Sequence, residues 1–390
     1  MNGRIKLLAP LVATLAIAAC NAGGVSNVPA APGLTQQNPQ RQAHAPRRVC
    51  PDLGPGYARC DALMINENAM RPDVAGWGPT DFQTRYNLPS STKGSGQVVA
   101  IVDAYDNPNA ASDLAAYRSN FGLGTANFTK YNQNGQTSGF PSGNKNWGLE
   151  EDLDIEMVSA VCPNCTIYLV EANGADTADL ETAEAEAVTL GAHIVSNSWG
   201  CTGSNACVNT SYFDKANTVY LASAGDGSYG TQAPAALASV VSVGGTTLAK
   251  AGSTYSESTW HGTGSGCATG VSKPSWQHDT GCTYRTMNDV SAVAYGVAEY
   301  DSYGYGGWFT VGGTSVSSPM LGGVFGLAGN ASSLDAGKKF WGLKKKKYKK
   351  ELHDITTGNN GSCSPSYLCT AGKGYDGPTG WGTPNGIGAF

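Results

Sequence analysis

Five short apolar stretches recur along the chain, and a helix-like stretch over residues 175–190 lies between two of them. This alternation predicts an α/β fold in which a mostly parallel sheet is covered by helices on both faces. Ligands of such folds bind at the carboxyl ends of the strands. Asp103, Trp199 and Asp226 each follow a predicted strand, so we expect them at that one edge. The five stretches cover residues 98–102, 167–170, 194–196, 219–222 and 240–243.

The composition fits a loop-rich exported domain and gives no sign of a nucleic-acid partner. The chain has 390 residues, of which 52 are glycine and only 14% are charged. Eight of its 25 Lys and Arg residues lie between Lys338 and Lys350, which leaves 17 basic residues against 30 acidic ones. The lysine run indicates one solvated helix face, with a membrane or polyanion site as the alternative.

A glycine-rich turn leads into an apolar helix at residues 312–319, and a serine lies where this helix begins. Ser315 follows a Gly-Gly-Thr sequence, and an apolar run starts at Met320. A hydroxyl at a helix N-terminus lies beside unpaired backbone N–H groups, which can hold the oxyanion of an acyl-transfer reaction. Pro319 is expected within the first turn, where its missing N–H costs little. The alternative is an ordinary turn capped by Ser or Thr.

The acidic stretch 150–156 has helical spacing. Glu150 and Asp154 are four residues apart and border an apolar stripe, so they are neighbours beside the core. Asp152 and Glu156 lie on the opposite side of the helix and are expected to face water. The alternative is a solvated acidic helix start. Two carboxylates beside an apolar face, with no Lys or Arg within a turn, favour a functional pair.

Together these elements resemble the motifs of the sedolisins, the serine-carboxyl peptidases. In this family Glu-x-x-x-Asp precedes a Gly-Asp element, here at 225–226, and Gly-Thr-Ser-x-x-x-Pro comes last, here at 313–319. The segment 196–200 resembles the family's strand-end segment, with Trp199 as its tryptophan. Asp103 stands where family members often carry a supporting glutamate. The resemblance covers roughly residue 77 to the C-terminus, and the joint occurrence of the motifs in order makes it specific.

The resemblance implies a subtilisin-like three-layer fold and a serine-carboxyl mechanism. Ser315 would be the nucleophile and Glu150 its general base, and Asp154 would orient Glu150 and share its proton. Asp226 would donate to the oxyanion together with the Ser315 N–H. The implied function is hydrolysis of protein and peptide substrates by an endopeptidase at acidic pH. We expect a monomer.

Two other functions compete with this one. A subtilisin-like Ser-His-Asp protease needs a helix-borne histidine before the serine, but His261 follows the Gly-Asp element and leads into a glycine-rich loop. The α/β-hydrolase motif also fails, because position 317 is serine. The remaining alternative is a catalytically inactive surface-binding lipoprotein on the same scaffold. It is disfavoured because all four catalytic positions are filled.

The N-terminus has the pattern of a bacterial export signal, residues 1–20. A short positive region ends at Lys6, and the apolar stretch 7–19 is too short for a comfortable membrane span. Cys20 follows Ile-Ala-Ala as in a lipobox, which predicts a lipid anchor there. Ordinary cleavage near Ala19 or Ala22 is the alternative. The protein is therefore expected to be secreted or extracytoplasmic, with this lipid as its only membrane contact.

Residues 21–75 are predicted to form a linker and a short disulfide-tied segment, and residues 76–390 the peptidase domain. Sedolisins usually carry a much longer folded pro-domain, so this segment departs from the family pattern. Setting Cys20 aside leaves ten cysteines, an even number that indicates disulfides after export. Their spacing suggests five close pairs without fixing the connectivity: Cys50 with Cys60, Cys162 with Cys165, Cys201 with Cys207, Cys267 with Cys282, and Cys363 with Cys369.

The C-terminal region matches the calcium site of the sedolisins, which implies one structural Ca²⁺. By this resemblance Asp354 and Asp376 supply carboxylates, while Ile355, Gly372 and Gly374 supply backbone carbonyls. Calcium prefers hard oxygen ligands, and glycines let carbonyls converge on one ion. The alternative is an ordinary pair of turns in a glycine-rich tail.

Overall fold

Seventeen strands and seven α-helices form in the part of the chain that the computed structural model describes, residues 46–65, 74, 76–201, 207–335 and 337–390. The strands are β1 (Arg47–Arg48), β2 (Arg59–Cys60), β3 (Leu63–Met64), β4 (Val98–Ala104), β5 (Asn127–Asn132), β6 (Thr166–Ala172), β7 (Ile194–Asn197), β8 (Trp199–Gly200), β9 (Val219–Ser223), β10 (Val240–Ala251), β11 (Thr254–Thr259), β12 (Gly266–Ser272), β13 (Tyr284–Met287), β14 (Val290–Asp301), β15 (Gly307–Gly312), β16 (Leu352–His353) and β17 (Thr383–Pro384). The helices are α1 (Pro79–Arg85), α2 (Ala110–Phe121), α3 (Lys145–Val161), α4 (Thr177–Thr189), α5 (Thr314–Ala328), α6 (Lys338–Trp341) and α7 (Lys345–Glu351).

One eleven-stranded sheet runs through the molecule in the order β1-β3-β15-β14-β10-β9-β7-β4-β6-β5, with β11 paired to β10. The seven strands from β14 to β5 pair in parallel, and β15, β3, β1 and β11 add antiparallel pairs. All five predicted strands are confirmed, and the predicted helix 175–190 is α4. Strand β14 was missed because it mixes apolar residues with buried Ser291, Glu299 and Asp301.

Helices cover the sheet on both faces, which confirms the predicted α/β class. α4 packs against β4 and β6, while α3 and α5 pack against each other and against β4 and β14. The contact of α3 with α5 is close because Gly323 has no side chain. A Cβ there would lie 2.4 Å from Val161 Cγ2. This packing brings the acidic stretch of α3 beside the start of α5.

The expectation that Asp152 and Glu156 face water is wrong, because every residue from Trp147 to Val161 is buried. α1, α2 and β14 cover the side of α3 that its own sequence pattern assigns to solvent. The Asp152 carboxylate accepts a hydrogen bond from Asn107 Nδ2 (2.7 Å), and Glu156 accepts one from the Tyr300 backbone N–H (3.2 Å). A pattern within one helix cannot reveal that distant segments pack on both of its sides.

The predicted disulfide-tied segment at the N-terminus is joined by a bond between Cys50 and Cys60. It is also part of the main fold, since β1 and β3 extend the sheet beyond β15. Residues 1–45, and with them the export signal and Cys20, lie outside the described residues, as do 66–73 and 75. Of residues 21–75, the structure therefore describes mainly the disulfide-tied part.

The sequence left the connectivity of the cysteines open, and the structure joins each one to its close neighbour in the chain. All five suggested pairs form, so the ten cysteines after Cys20 are all used in disulfides. Besides the N-terminal pair, Cys162 bonds to Cys165, Cys201 bonds to Cys207, Cys267 bonds to Cys282, and Cys363 bonds to Cys369.

One further surface feature agrees with the sequence. The lysines of α7 are exposed while Tyr348 is buried, as a solvated helix face requires. Among the described residues, no helix has both the length and the apolar character needed to cross a bilayer.

The fully buried Glu184 of α4 allows a test of how buried carboxyl groups affect stability. Burial raises its pKa well above the ordinary range, and the Asn197 amide only partly offsets this. The folded state therefore holds a proton that the unfolded chain releases near pH ~4.3. The contribution of protonated Glu184 to the free energy of unfolding is fully present in acid. It falls as pH rises, by up to about 1.4 kcal/mol per pH unit for one group.

We expect Glu184→Gln, which carries no titrating proton, to lose less stability than the wild type between roughly pH 5 and pH 7. Thermal unfolding at several pH values measures this. Glu186→Gln, the same change on the partly exposed part of α4, is the matched control and should follow the wild type. Parallel pH dependences for the wild type and Glu184→Gln would contradict the argument.

Candidate active site

Ser315 lies in the first turn of α5 and is fully buried beneath the N-terminal segment. Gly313, the residue before the helix, has a positive φ of 121° that favours glycine. A Cβ at Gly313 would lie 2.0 Å from the Asp61 carbonyl oxygen and 2.7 Å from Asp226 Oδ2. The backbone before Ser315 is therefore open to close approach by another carbonyl, as the glycine-rich motif predicts.

The expectation that Pro319 falls in the first turn is wrong, because α5 begins at Thr314 and Pro319 lies inside the helix. A proline cannot donate to the carbonyl four residues earlier, which here belongs to Ser315. The Ser198 hydroxyl donates to that carbonyl instead (3.3 Å), and the Ser315 hydroxyl donates to the Ser198 carbonyl (3.2 Å). Pro319 thus leaves Ser315 free to bond across to the end of β7.

Glu150, Asp154 and Asp103 form a buried carboxyl cluster beside Ser315. Burial raises the pKa of Glu150 well above its usual range, the charges of Asp154 and Asp103 raise it further, and a Ser315 hydrogen bond lowers it. Burial likewise raises the pKa of Asp154, against hydrogen bonds with Ser198 and Glu150. Burial, then the charges of Asp154 and Glu171, raises the pKa of Asp103. The cluster therefore holds protons that it must share.

The serine hydroxyl reaches Glu150 only loosely in this structure. It is directed at the Ser198 carbonyl, and both Glu150 oxygens lack a hydrogen bond of normal geometry from the described residues. Such bonds are often long without substrate and tighten in the complex with it. Glu150 is therefore a buried carboxyl group close enough to Ser315 for that side chain to affect its pKa.

Asp226 lies on the other side of Ser315, three residues after β9. Its Oδ1 accepts hydrogen bonds from the Thr314 backbone N–H (2.8 Å) and the Thr314 hydroxyl (3.0 Å). Oδ2 is buried and without a hydrogen-bond partner among the described residues. Burial raises the pKa of Asp226 well above its usual range, and the nearby charge of Asp61 raises it further. A protonated Oδ2 would be a donor aimed at the space above Gly313.

Trp199 contacts β4, the strand that carries Asp103. Its indole N–H donates to the Val102 carbonyl (3.0 Å), the residue before Asp103, and its ring packs edge-on against Phe213. The contact joins β8 to β4 and fixes the position of Asp103 relative to the Ser198 segment. Trp199 and Asp103 thus lie close together, and their supporting role stays a prediction.

The four described histidines lie away from this cluster. His193, His261 and His353 each bond to a backbone carbonyl elsewhere in the fold, at 2.8, 3.1 and 3.1 Å. In the part of the chain that the structure describes, no histidine bonds to Ser315.

Three side chains at the site carry no recognisable sequence signal: Asp61, Ser223 and Gln232. The Asp61 carboxylate accepts hydrogen bonds from the Ser223 hydroxyl (2.7 Å) and the Gln232 amide. Asp61 contacts Ser223 and Gln232 because the N-terminal segment folds back over the start of α5. Its neighbours Arg59, Cys60 and Ala62 offer no motif that would predict this.

The calcium candidates lie together at residues 354 and 372–376. The Gly374 N–H donates to both Asp354 oxygens (3.1 and 3.2 Å), and the Gly372 N–H donates to Asp376 Oδ2 (2.9 Å). Burial raises the pKa of Asp376 to about 7, and the charge of Asp354 contributes. Ile355 is buried beside them. The two carboxylates meet at one glycine loop. Carboxylate oxygens are the hard donors that Ca²⁺ prefers, so the chemistry of these residues fits this ion.

The chain is similar to known proteins in sequence and in fold. A family model described as the subtilase family matches residues 122–342. Kumamolisin from Bacillus sp. (strain MN-32) is 30% identical over 356 residues, covering 79% of this chain and 62% of that protein. Sedolisin from Pseudomonas sp. (strain 101) is 27% identical over 371 residues, covering 82% and 62%. The structure of Pseudomonas sedolisin, a serine-carboxyl proteinase complexed with two molecules of pseudo-iodotyrostatin, matches with a TM-score of 0.68 at 26% identity, covering 80% of this chain and 96% of that one.

The chain belongs to the subtilase family, since the family model matches more than half of it. Its similarity to kumamolisin and sedolisin, in sequence and in fold, places it among the sedolisins of that family. The predicted resemblance is thereby confirmed. The chain spans about three fifths of the length of these two relatives.

Proposed function

We propose that this protein is an exported serine-carboxyl endopeptidase that hydrolyses peptide bonds of proteins in acid. The observation that carries the proposal is the placement of Ser315 beside two buried carboxyl sites: Glu150 with Asp154, and Asp226, which is bonded to the preceding residue Thr314. The first can take a proton from the serine, and the second can donate to an oxyanion. The sedolisin relationship supports the same assignment.

The Ser315 hydroxyl attacks the carbonyl carbon of the substrate, and Glu150 takes the hydroxyl proton as general base. When the C–N bond breaks, Glu150 gives this proton to the leaving amine, and water then releases the acyl group by the reverse route. Asp154 shares a proton with Glu150, so the pair need not carry two negative charges. The raised pKa values of both groups make such sharing favourable.

The oxyanion is held by two donors, the Ser315 backbone N–H and a protonated Asp226. Thr314 occupies Oδ1 of Asp226 through two hydrogen bonds, which leaves Oδ2 to carry the proton. Donors of this kind, fixed before the reaction, are worth ~10²–10³ in rate when one is removed. Protonation of Asp226 is therefore a condition for activity.

Two further parts of the proposal concern stability and location. One Ca²⁺ held by Asp354, Asp376 and the carbonyls of Ile355, Gly372 and Gly374 would stabilise the C-terminal loops. The five disulfides support an exported protein, because such bonds persist in oxidising compartments. The lipid anchor on Cys20 stays a prediction.

Ser315→Ala and Glu150→Gln should each abolish hydrolysis of a denatured protein substrate, by several powers of ten, because nucleophile and base act as one unit. Circular dichroism should indicate an intact fold. His261→Gln is the control and should keep nearly normal activity. A folded Ser315→Ala protein that still cleaves, or loss of activity in His261→Gln, would contradict the mechanism.

The proposed mechanism predicts a hydrolysis optimum below about pH 5.5. Activity should decline as pH rises through the raised pKa values of Asp226 and the Glu150–Asp154 pair, because the proton on each is then lost. Asp226→Asn keeps a donor that does not titrate, so its residual activity should fall less steeply in pH–rate profiles. An optimum near pH ~8 would indicate a histidine base.

Removal of Ca²⁺ by a chelator should lower the thermal unfolding midpoint, because an ion bound only by the native state adds to its stability. Asp376→Asn should abolish this sensitivity. The control is Asp335→Asn, since Asp335 is exposed and pairs with Lys338; it should respond to chelator like the wild type. A calcium-replete wild-type protein with an unchanged midpoint would count against the ion.

A further inference from the structure

The segment Tyr57–Asp61 runs past the active site in a strand-like conformation and is hydrogen-bonded along both edges. On one edge the Ala58 N–H donates to the Ala175 carbonyl (2.7 Å), and the Thr177 N–H donates to the Gly56 carbonyl (3.0 Å). On the other edge β2 pairs antiparallel with β8. Addition of a strand to exposed backbone edges is a common way to bind an extended peptide. The protein thus places its own chain where a peptide ligand fits.

The backbone of Asp61 is held at Ser315 itself. The Asp61 N–H donates to the Ser198 carbonyl (3.0 Å), and the Ser315 N–H points at the Asp61 carbonyl oxygen (3.4 Å). That oxygen lies over Gly313, beside the unpartnered Oδ2 of Asp226. The Asp61 carbonyl oxygen therefore occupies the position in which an oxyanion would be stabilised, between the Ser315 N–H and Asp226 Oδ2.

The residues that follow this carbonyl are also hydrogen-bonded to the rest of the protein. After Ala62, strand β3 pairs antiparallel with the end of β15, and the Ile65 N–H donates to the Thr310 carbonyl (3.0 Å). The Asp61–Ala62 peptide bond is thus spanned by backbone hydrogen bonds on both of its sides. A peptide held in this way is presented for cleavage at one bond.

The side chain of Asp61 fills a small polar pocket. Its Oδ2 accepts hydrogen bonds from Ser223 Oγ (2.7 Å) and from the Gln232 amide, which also donates to the Ser223 carbonyl (3.1 Å). Gly200 makes room for Gln232, because a Cβ there would lie 2.2 Å from its amide. Burial raises the pKa of Asp61, which favours its neutral acid form. The pocket offers two neutral donors at the depth of a short side chain.

We propose that Ser223 and Gln232 form the pocket that selects the residue before the cleaved bond, that this pocket favours Asp or Asn, and that the protein cleaves its own Asp61–Ala62 bond. The inference rests on the proposed peptidase function. Longer side chains cannot place an acceptor at the same depth, and apolar ones leave two buried donors unpaired. The substrate class is therefore proteins cut after Asp or Asn.

In the self-cleavage, Ser315 Oγ bonds to the Asp61 carbonyl carbon while Glu150 takes the hydroxyl proton. The C–N bond to Ala62 breaks, and Glu150 gives the proton to the new Ala62 amine. Water then hydrolyses the ester, which leaves an Asp61 carboxyl group and restores Ser315. The disulfide between Cys50 and Cys60 lies wholly on the N-terminal side of the cut, so it does not join the two products.

The test is incubation of the full-length protein in acid, followed by intact mass and N-terminal sequencing under denaturing, non-reducing conditions. We expect a new chain beginning at Ala62, absent in Ser315→Ala and formed at a rate per molecule that does not change over a tenfold range of protein concentration. Asp61→Asn should cleave at a comparable rate. Asp61→Leu should cleave about ten- to a hundredfold more slowly at this bond.

Peptides released from a denatured protein substrate identify the pocket's preference independently. Asp and Asn should be enriched before the cut, and Gln232→Leu should reduce that enrichment while cleavage at other residues continues. Vigorous hydrolysis of the substrate without this enrichment, and with Asp61–Ala62 intact, would overturn the inference and leave the proposed function standing. No hydrolysis of any substrate would overturn both.

Discussion

Carboxyl groups buried without cationic partners govern both the stability and the chemistry of this protein. Helix α3 alone buries Glu150, Glu151, Asp152, Asp154 and Glu156. An ionised carboxylate taken out of water costs several kcal/mol unless it is paired, so such groups keep their protons instead. The same burial that makes the folded state favour acid thus keeps a proton on Asp226 and one within the Glu150–Asp154 pair, as the proposed reaction needs.

The packing that buries these groups also brings them together. α3 and α5 approach closely because small residues lie between them, and the glycine before α5 lets other oxygens approach its backbone. The strand ends of the parallel sheet supply Asp103, the Ser198 segment and Asp226 at one edge. Glu150, Asp154 and Ser315 are thus positioned by helices, and Asp103 and Asp226 by strand ends.

Much of this arrangement could be predicted from the sequence, because it depends on local signals. The apolar stretches predicted the parallel strands, and the spacing of Glu150 and Asp154 placed them on one helix. The predictions that failed are those that depend on packing between segments far apart in the sequence. Asp152 and Glu156 were assigned to solvent, but α1, α2 and β14 cover them. The sequence also predicted a later start for α5, so Pro319 was expected in the first turn but lies inside the helix.

The N-terminal segment could not be anticipated for the same reason. Asp61 stands in no motif, and its burial against Ser223 and Gln232 follows only from the way β1 and β3 join the sheet. Cysteine spacing predicted the loop between Cys50 and Cys60 but not where it docks. Long-range pairing of a short strand depends on the edge that receives it, and here β15 receives β3.

A crystal structure of the protein with a peptide aldehyde, grown in acid, would test the central claim most directly. The account predicts a covalent bond between the aldehyde carbon and Ser315 Oγ, with the resulting oxygen within hydrogen-bond distance of the Ser315 N–H and Asp226 Oδ2, and with Glu150 bonded to Ser315 Oγ. An adduct on another residue, or an oxygen held without Asp226, would contradict it.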